Sequence, residues 1–260
     1  MTEPTLLTVV ALAWRESDHL EKCFKSLASL RARTGATTLI VLDDDADTAT
    51  REIALRVADR VIELPFTNFS RQRNYGLDAA TTEWVFFIDA DERCTSDLSD
   101  EIQRVVSEVE HAAYQVPRRN ILFGREIKHT GWWPDYQVRL LRRAYCRYDE
   151  SIRVHERPTV NGSTGSLNAP LIHYNYNSWR QFATKQKAYA KLEARAQWDA
   201  GRRATARSLV GQPLRELKRR MIDYQGYKDG LLGLALSIAM SIYTLEVQRQ
   251  LFRLRRKGTA

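Results

Sequence analysis

Three short apolar runs rich in β-branched residues constrain this chain most: residues 5–13 (TLLTVVALA), 37–42 (TTLIVL) and 84–88 (WVFFI). A run of that length without polar alternation fits a parallel strand buried on both faces. Between the first two, Leu20, Cys23, Phe24, Leu27 and Leu30 recur at helical spacing, with Ser17 or Asp18 placed to cap the start. Further helices are expected at 50–58 and 68–80, with a strand at 61–64 between them. Alternation of this kind predicts an α/β sheet with right-handed crossovers, whose ligands bind beyond the carboxyl ends of the strands.

Acidic residues stand at those ends: Glu16 after the first strand, Asp43, Asp44 and Asp45 after the second, and Asp89, Asp91 and Glu92 after the run ending at Ile88. In FFIDADER, Asp89 and Asp91 flank one small residue. On an extended segment the two carboxylates face one hard cation together, or one holds the metal while the other meets a sugar or ribose hydroxyl. Oxygen ligands suit Mg²⁺ or Mn²⁺, which neutralises a diphosphate leaving group. Three adjacent acids exceed what helix capping by Asp47 or Thr48 requires, so Asp43 is expected to touch ligand, with Asp44 and Asp45 left open.

SRQRNYG places Arg71, Arg73 and Asn74 near a helix start, where cationic forks and free N–H groups favour phosphate. GWWPDYQVRLLRR gathers Trp132, Trp133, Asp135 and Tyr136 around Pro134. Aromatic rings offer flat surfaces to sugars, and a carboxylate beside them can act as a general base. Arg139 lies four residues after Asp135, but Pro134 opposes the helix such a pairing needs, and Arg139 is grouped with the donor-binding residues. VHERP adds His155, as metal ligand, phosphate donor or satisfied core group, and Glu156 on the acceptor side.

The 260 residues, 43% apolar with 12 Gly and 7 Pro, bury a core without disulfide staples and are neither collagen-like nor low-complexity. Cys23, Cys94 and Cys146, odd in number and far apart, form neither a disulfide framework nor a CxxC site. No basic segment precedes an apolar run at the N-terminus, so a cytoplasmic protein is expected. From 112 to 176 short strands are expected, and helices return at 178–198, 213–224 and 229–255. The layout is a catalytic domain at 1–200 and a basic helical region at 201–260. Within a net charge of +8, residues 202–257 hold 13 Lys and Arg against 4 Asp and Glu. The apolar stretch 230–245 is shorter than the roughly 20 residues of a spanning helix. With the arginines after it, the stretch suits a helix at an anionic surface at the inner face of the cell membrane; burial against the domain or in a homo-oligomer is the alternative.

Together these segments resemble glycosyltransferase family 2, the inverting nucleotide-sugar enzymes of the GT-A fold. VVALAWRESDHLEKCFKSL is similar to the family's opening strand and helix, RQRNYGL to its Arg-Asn segment and FFIDADER to its metal-binding DxD. The middle of the chain, with VHERP and GYKDGLLGL, resembles the subfamily that includes lipopolysaccharide-core glucosyltransferases. The resemblance implies a mostly parallel sheet flanked by helices with a helical C-terminal extension. It implies that Glu16 and Asp43 contact the nucleoside, Arg73 the donor, and Asp91 the metal, and that Asp135 is the acceptor-activating base. Asp89 and Arg139 join the donor-binding set, His155 the metal set, and Trp132, Trp133 and Glu156 the acceptor side. Arg15 stands where the family usually has Asn, and the segment after strand two is acidic where the family usually reads Asp-Ser-Gly-Ser-Thr-Asp. The expected partners are a nucleoside diphosphate sugar and a glycan or glycolipid acceptor, with no nucleic acid. The alternatives are transfer to a polyprenyl phosphate, or a non-catalytic basic module binding membrane or nucleic acid.

Overall fold

Continuous apolar runs become central strands because each buries both of its faces. The computed structural model describes residues 6–152 and 156–257. It opens β1 (Leu7–Ala13), α1 (Ser17–Ser26), α2 (Ala28–Thr34), β2 (Thr37–Leu42), α3 (Thr48–Val57), β3 (Arg60–Glu63), α4 (Phe69–Ala79), β4 (Trp84–Asp89), β5 (Glu92–Cys94) and α5 (Ser96–Glu108). Short strands follow: β6 (Ala113–Leu122), β7 (Arg125–Ile127), β8 (Asp135–Arg142), β9 (Cys146–Tyr148), β10 (Pro158–Val160), β11 (Thr164–Ser166) and β12 (Leu171–Tyr176). The chain then turns helical in α6 (Trp179–Asp199), α7 (Ala206–Lys218) and α8 (Gly230–Lys257).

The chain divides into two compact units, Met1–Arg118 with Tyr136–His173, and Arg119–Asp135 with Tyr174–Ala260. The second unit thus comprises the basic 201–260 segment together with α6 and the 119–135 stretch. Strands run in the order β3-β2-β1-β4-β8-β6-β12-β5, with β7 and β11 both on β6. β1, β2, β3 and β4 are mutually parallel, and β8 joins β4 antiparallel, giving a mixed, mostly parallel sheet in an α/β fold.

In the first unit successive strand residues feed two cores. Val9 and Ala11 of β1, Ile40 of β2, and Trp84 and Phe86 of β4 pack with Leu20, Leu30, Ala54 and Ile102 of the helices. Val10, Leu39, Val41, Val85 and Phe87 pack on the other face with Leu77 of α4. Full burial of side chains this size contributes about 1.5–3 kcal/mol each. α4 comes unusually close, because a Cβ at Gly76 would stand 2.7 Å from Val10 Cγ1. Only glycine permits that approach, and it sets Arg73, one turn earlier, over the sheet.

The second unit has its own apolar clusters. Leu122, Ile127, Tyr176, Phe182 and Leu236 form one, and Ala190, Ala194, Ala204, Val247 and Leu251 the other. Helix α7 begins well before the expected 213, because a capping box at Thr205 and Ser208 starts it and Pro213 sits inside. Helix α5, capped by Thr95, is an addition to the expected elements. The three cysteines are buried free thiols, and burial pushes Cys94 and Cys146 up to about 11.

Candidate active site

Parallel register brings the acidic strand ends together in the first unit. Ala13 pairs with Leu42 and Leu12 with Asp89, so the segments leaving β1, β2 and β4 emerge side by side. Next to them lies a cavity of about 600 Å³ whose lining includes Trp14, Glu16, Asp43, Pro65, Phe66 and Phe69. Phe66 and Phe69 meet edge to face with ring centroids 5.1 Å apart. Aromatic walls with carboxylates among the lining residues suit a flat heterocycle and its ribose. Glu16 turns back onto β1, its carboxylate accepting the Trp14 N–H, while its own N–H donates to Thr50 Oγ1 at 3.1 Å. Burial raises the Glu16 carboxyl above the usual carboxylate range despite that backbone donor.

Asp44 and Asp45, left open by the sequence, line the same cavity as Asp43. Asp43 is buried and its Oδ1 accepts from the Asp45 N–H at 3.0 Å, shaping the turn. Asp45 pairs with Arg15 at 3.4 Å on the surface. Asp47 caps α3 by accepting from Thr50 N–H at 3.0 Å.

Asp89 and Asp91 part company. Asp89 closes β4, but Ala90 and Asp91 form a turn, so the alternation that aims i and i+2 the same way does not hold. The Asp89 carboxylate is gripped by Arg139, whose Nη1 donates at 3.2 Å and whose Nη2 also donates, and by Arg73 Nη2 at 3.2 Å. Arg139 Nη2 also reaches Glu92 Oε1 at 2.6 Å, and Glu92 is wholly buried. Burial alone would raise the Asp89 carboxyl, but the Arg139 and Arg73 cations outweigh it and hold the carboxyl far below the usual range. Arg139 is therefore a strand residue tied to Asp89 and Glu92. Glu156, expected on the acceptor side, instead accepts from Arg73 Nε at 3.4 Å.

Asp91 faces His173 on β12, whose Nε2 is 3.4 Å from Asp91 Oδ2. Sequence reasoning passed over His173; its signal was a buried His two residues after buried Leu171 on one strand face. His155, expected as a metal ligand, lies outside the described residues. Asn74, expected to favour phosphate, instead clamps β9, donating to Tyr148 O at 3.0 Å and accepting from Tyr148 N–H at 3.0 Å.

In the second unit, the 128–135 stretch is tied down from several sides. Asp229, nearly buried, accepts from His129 N–H at 3.0 Å, His129 Nδ1 at 3.1 Å and Thr130 Oγ1 at 2.9 Å. Thr130 sits at φ 62°, a left-handed conformation that a β-branched residue adopts only when held there. Arg220 Nη1 holds it too, donating to Thr130 O at 2.6 Å. Trp132 packs on the cluster around Tyr176, whereas Trp133, joined to Pro134 by a cis peptide, is partly exposed. Buried Asn120 donates through Nδ2 to Trp132 O at 2.9 Å and to Asp135 Oδ2 at 3.3 Å. Asp229→Ala would strip these donors of their acceptor, with an expected loss of about 1–3 kcal/mol in chemical denaturation. Asp229→Asn, which keeps one acceptor oxygen, is expected to recover part of it.

The sequence profile of Glycosyl transferase family 2 matches residues 8–157, more than half of the chain. The chain belongs to glycosyl transferase family 2. Among curated relatives, the lipopolysaccharide core biosynthesis glycosyltransferase LpsC of Rhizobium meliloti is 22% identical over 254 residues, covering 95% of this chain and 92% of LpsC. The uncharacterized glycosyltransferase RT0209 of Rickettsia typhi is 25% identical over 169 residues, covering 60% of this chain and 58% of the relative. Among solved structures, the mannosyltransferase PcManGT from Pyrobaculum calidifontis, in complex with GDP-Man and Mn²⁺, superposes with a TM-score of 0.56 at 12% identity. That match covers 95% of this chain and 86% of PcManGT. S. aureus TarS 1-349 in complex with UDP-GlcNAc gives a TM-score of 0.50 at 12% identity, over 94% and 83% of the two chains. These structural likenesses establish the GT-A fold, and family membership makes the chain a nucleotide-sugar-dependent glycosyltransferase.

Proposed function

We propose that this family 2 enzyme moves a sugar, with inversion, from a nucleoside diphosphate donor to a hydroxyl of a cell-envelope glycan or glycolipid. The observation that carries the donor side is the aromatic-walled cavity of about 600 Å³ with Glu16 and Asp43 on its lining. The near full-length similarity to LpsC supports the acceptor class.

Asp135 takes the proton of the acceptor hydroxyl as that oxygen attacks the anomeric carbon and the bond to the diphosphate breaks. Asn120, by donating to Asp135 Oδ2 at 3.3 Å, orients the carboxylate. Trp133, partly exposed beside it in sequence, offers a ring face to the acceptor sugar. Arg73 and Arg139, paired with Asp89, Glu92 and Glu156, form a rigid, charge-compensated floor near the strand ends.

A divalent ion fits what Asp91 offers. Asp89 is paired with two arginines, while the Asp91 carboxylate and the His173 imidazole, 3.4 Å apart, bring together an oxygen and a nitrogen donor suited to Mn²⁺ or Mg²⁺. Among the described residues no group of three His, Cys, Asp or Glu could hold an ion by itself, so the donor's diphosphate and water would complete the shell. When bound, the ion neutralises the charge of the departing diphosphate.

The test is thermal shift of the wild type and Asp91→Ala against UDP, GDP and their sugars, with Mn²⁺, Mg²⁺ or EDTA. At a hundredfold excess over Kd the right nucleotide is expected to stabilise by about 2.7 kcal/mol, and Asp91→Ala to lose the metal-dependent part. A folded wild type that no nucleotide stabilises overturns the donor assignment.

A further inference from the structure

Helix α8 has two unlike faces. On one, Leu236, Val247 and Leu251 are buried, packing in the clusters that α6 supplies with Phe182, Ala190 and Ala194. On the other, Leu231, Ile238 and Ile242 are 85%, 44% and 60% exposed. Their spacing of seven and four residues puts them on one stripe at 100° per residue, and the same stripe ends in exposed Arg249 and Arg253.

Helix α7 repeats the pattern. Val210 and Leu214 are 62% and 59% exposed, and they share a stripe with exposed Arg207 and Lys218 at three- and four-residue spacing. The two helices fold back on each other, with Ser241 Oγ donating to Pro213 O at 2.8 Å across the seam. In an antiparallel pair the residues that follow two seam residues project to the same side, so Leu214 and Ile242 stand together. The second unit therefore presents an apolar strip two helices wide with cations at its ends. The turn between the helices adds exposed Tyr227 and Lys228.

We propose that this α7–α8 face docks on an anionic phospholipid surface, lying in the interface plane with its aliphatic stripe inserted and its cations among the headgroups. Charge decides the occupant. Residues 202–257 carry 13 Lys and Arg against 4 Asp and Glu, so a second copy of the face would bring like charges together, whereas an anionic bilayer neutralises them. Orientation follows from the buried face. The segment Gly226–Arg255 is long and apolar enough to cross a membrane by length and composition. Its packed side, however, is bound to α6, whose Lys187, Lys191 and Arg195 would have to enter hydrocarbon with it. A flat helix inserts its apolar stripe and leaves those cations in water.

The test is co-sedimentation of the full chain with vesicles of phosphatidylcholine alone or with 30% phosphatidylglycerol. Binding at least tenfold stronger to the anionic vesicles, and falling with salt, is expected. Each surface cation is worth about fivefold in partitioning, so Arg249→Glu with Arg253→Glu should weaken binding well over tenfold. Ile238→Asp with Ile242→Asp, both exposed positions, should abolish insertion while circular dichroism and nucleotide-induced thermal shift stay those of the wild type. Equal binding to neutral vesicles, or binding unchanged in the Ile238/Ile242 variant, overturns the proposal. So does sedimentation equilibrium in which that variant turns a dimer into a monomer, or wild type retained in cell membranes after alkaline carbonate washing.

Discussion

Asp135→Asn is expected to lower kcat by about 10²- to 10⁴-fold, the usual contribution of a positioned base, while Kd for the nucleotide sugar stays within about threefold. The substitution is isosteric, and the retained side-chain oxygen can still accept from Asn120 Nδ2, which now reaches Asp135 Oδ2 at 3.3 Å. The fold of the 128–135 stretch rests on Asp229 and Arg220, which the substitution leaves alone. The lost carboxylate therefore shows as chemistry rather than as unfolding. Steady-state kinetics with calorimetry of donor binding checks both halves. Turnover within threefold of wild type removes Asp135 from the base role. It also points to an acceptor whose oxygen is already ionised, as in a polyprenyl phosphate, which needs no base.

The chain displayed its donor side far more openly than its polar interior. β1, β2 and β4 were legible because strands buried on both faces leave an unbroken apolar run, and the acidic ends were legible because parallel strands deliver their termini to one edge. The divergence of Asp89 and Asp91 was not legible, since it depends on whether Ala90 continues the strand or turns. Pro134 already opposed a helical pairing of Arg139 with Asp135, and β8 is a strand; the partners of Arg139, Asp89 and Glu92, were not legible because they lie 50 and 47 residues away. His173 meets Asp91, and Asp229 meets His129 and Thr130, across similar or greater separations that no local pattern announces. Polar partners are chosen by the three-dimensional fold, whereas apolar periodicity is written locally.

That buried polar interior sets the largest expected loss of stability, from Arg139→Met. Arg139 is 4% exposed and Glu92 fully buried; without the guanidinium, Glu92 keeps Arg118 Nη1 at 3.4 Å and the Asp89 N–H at 2.9 Å, while Asp89 keeps Arg73. Removing one partner of a buried ion pair costs about 3–5 kcal/mol, because the carboxylates lose their shared guanidinium without regaining water, and the remaining contacts compensate only in part. For a chain this size, 1 kcal/mol moves Tm by roughly 2–4 °C, so thermal unfolding at neutral pH should show a drop on the order of 10 °C. The pH dependence identifies the cause. Burial alone would raise the Asp89 carboxyl, but Arg139 and Arg73 depress it, so its contribution is complete above the ordinary Asp value near 4 and is lost as pH falls through its folded value. In Arg139→Met that depression is largely gone. The stability gap between wild type and variant should therefore be widest near neutrality and narrow as the solution is acidified below about pH 4. A gap that is small at pH 7, or that stays constant down the acid limb, would mean that Asp89 and Glu92 are solvated and that Arg139 contributes mainly by filling space.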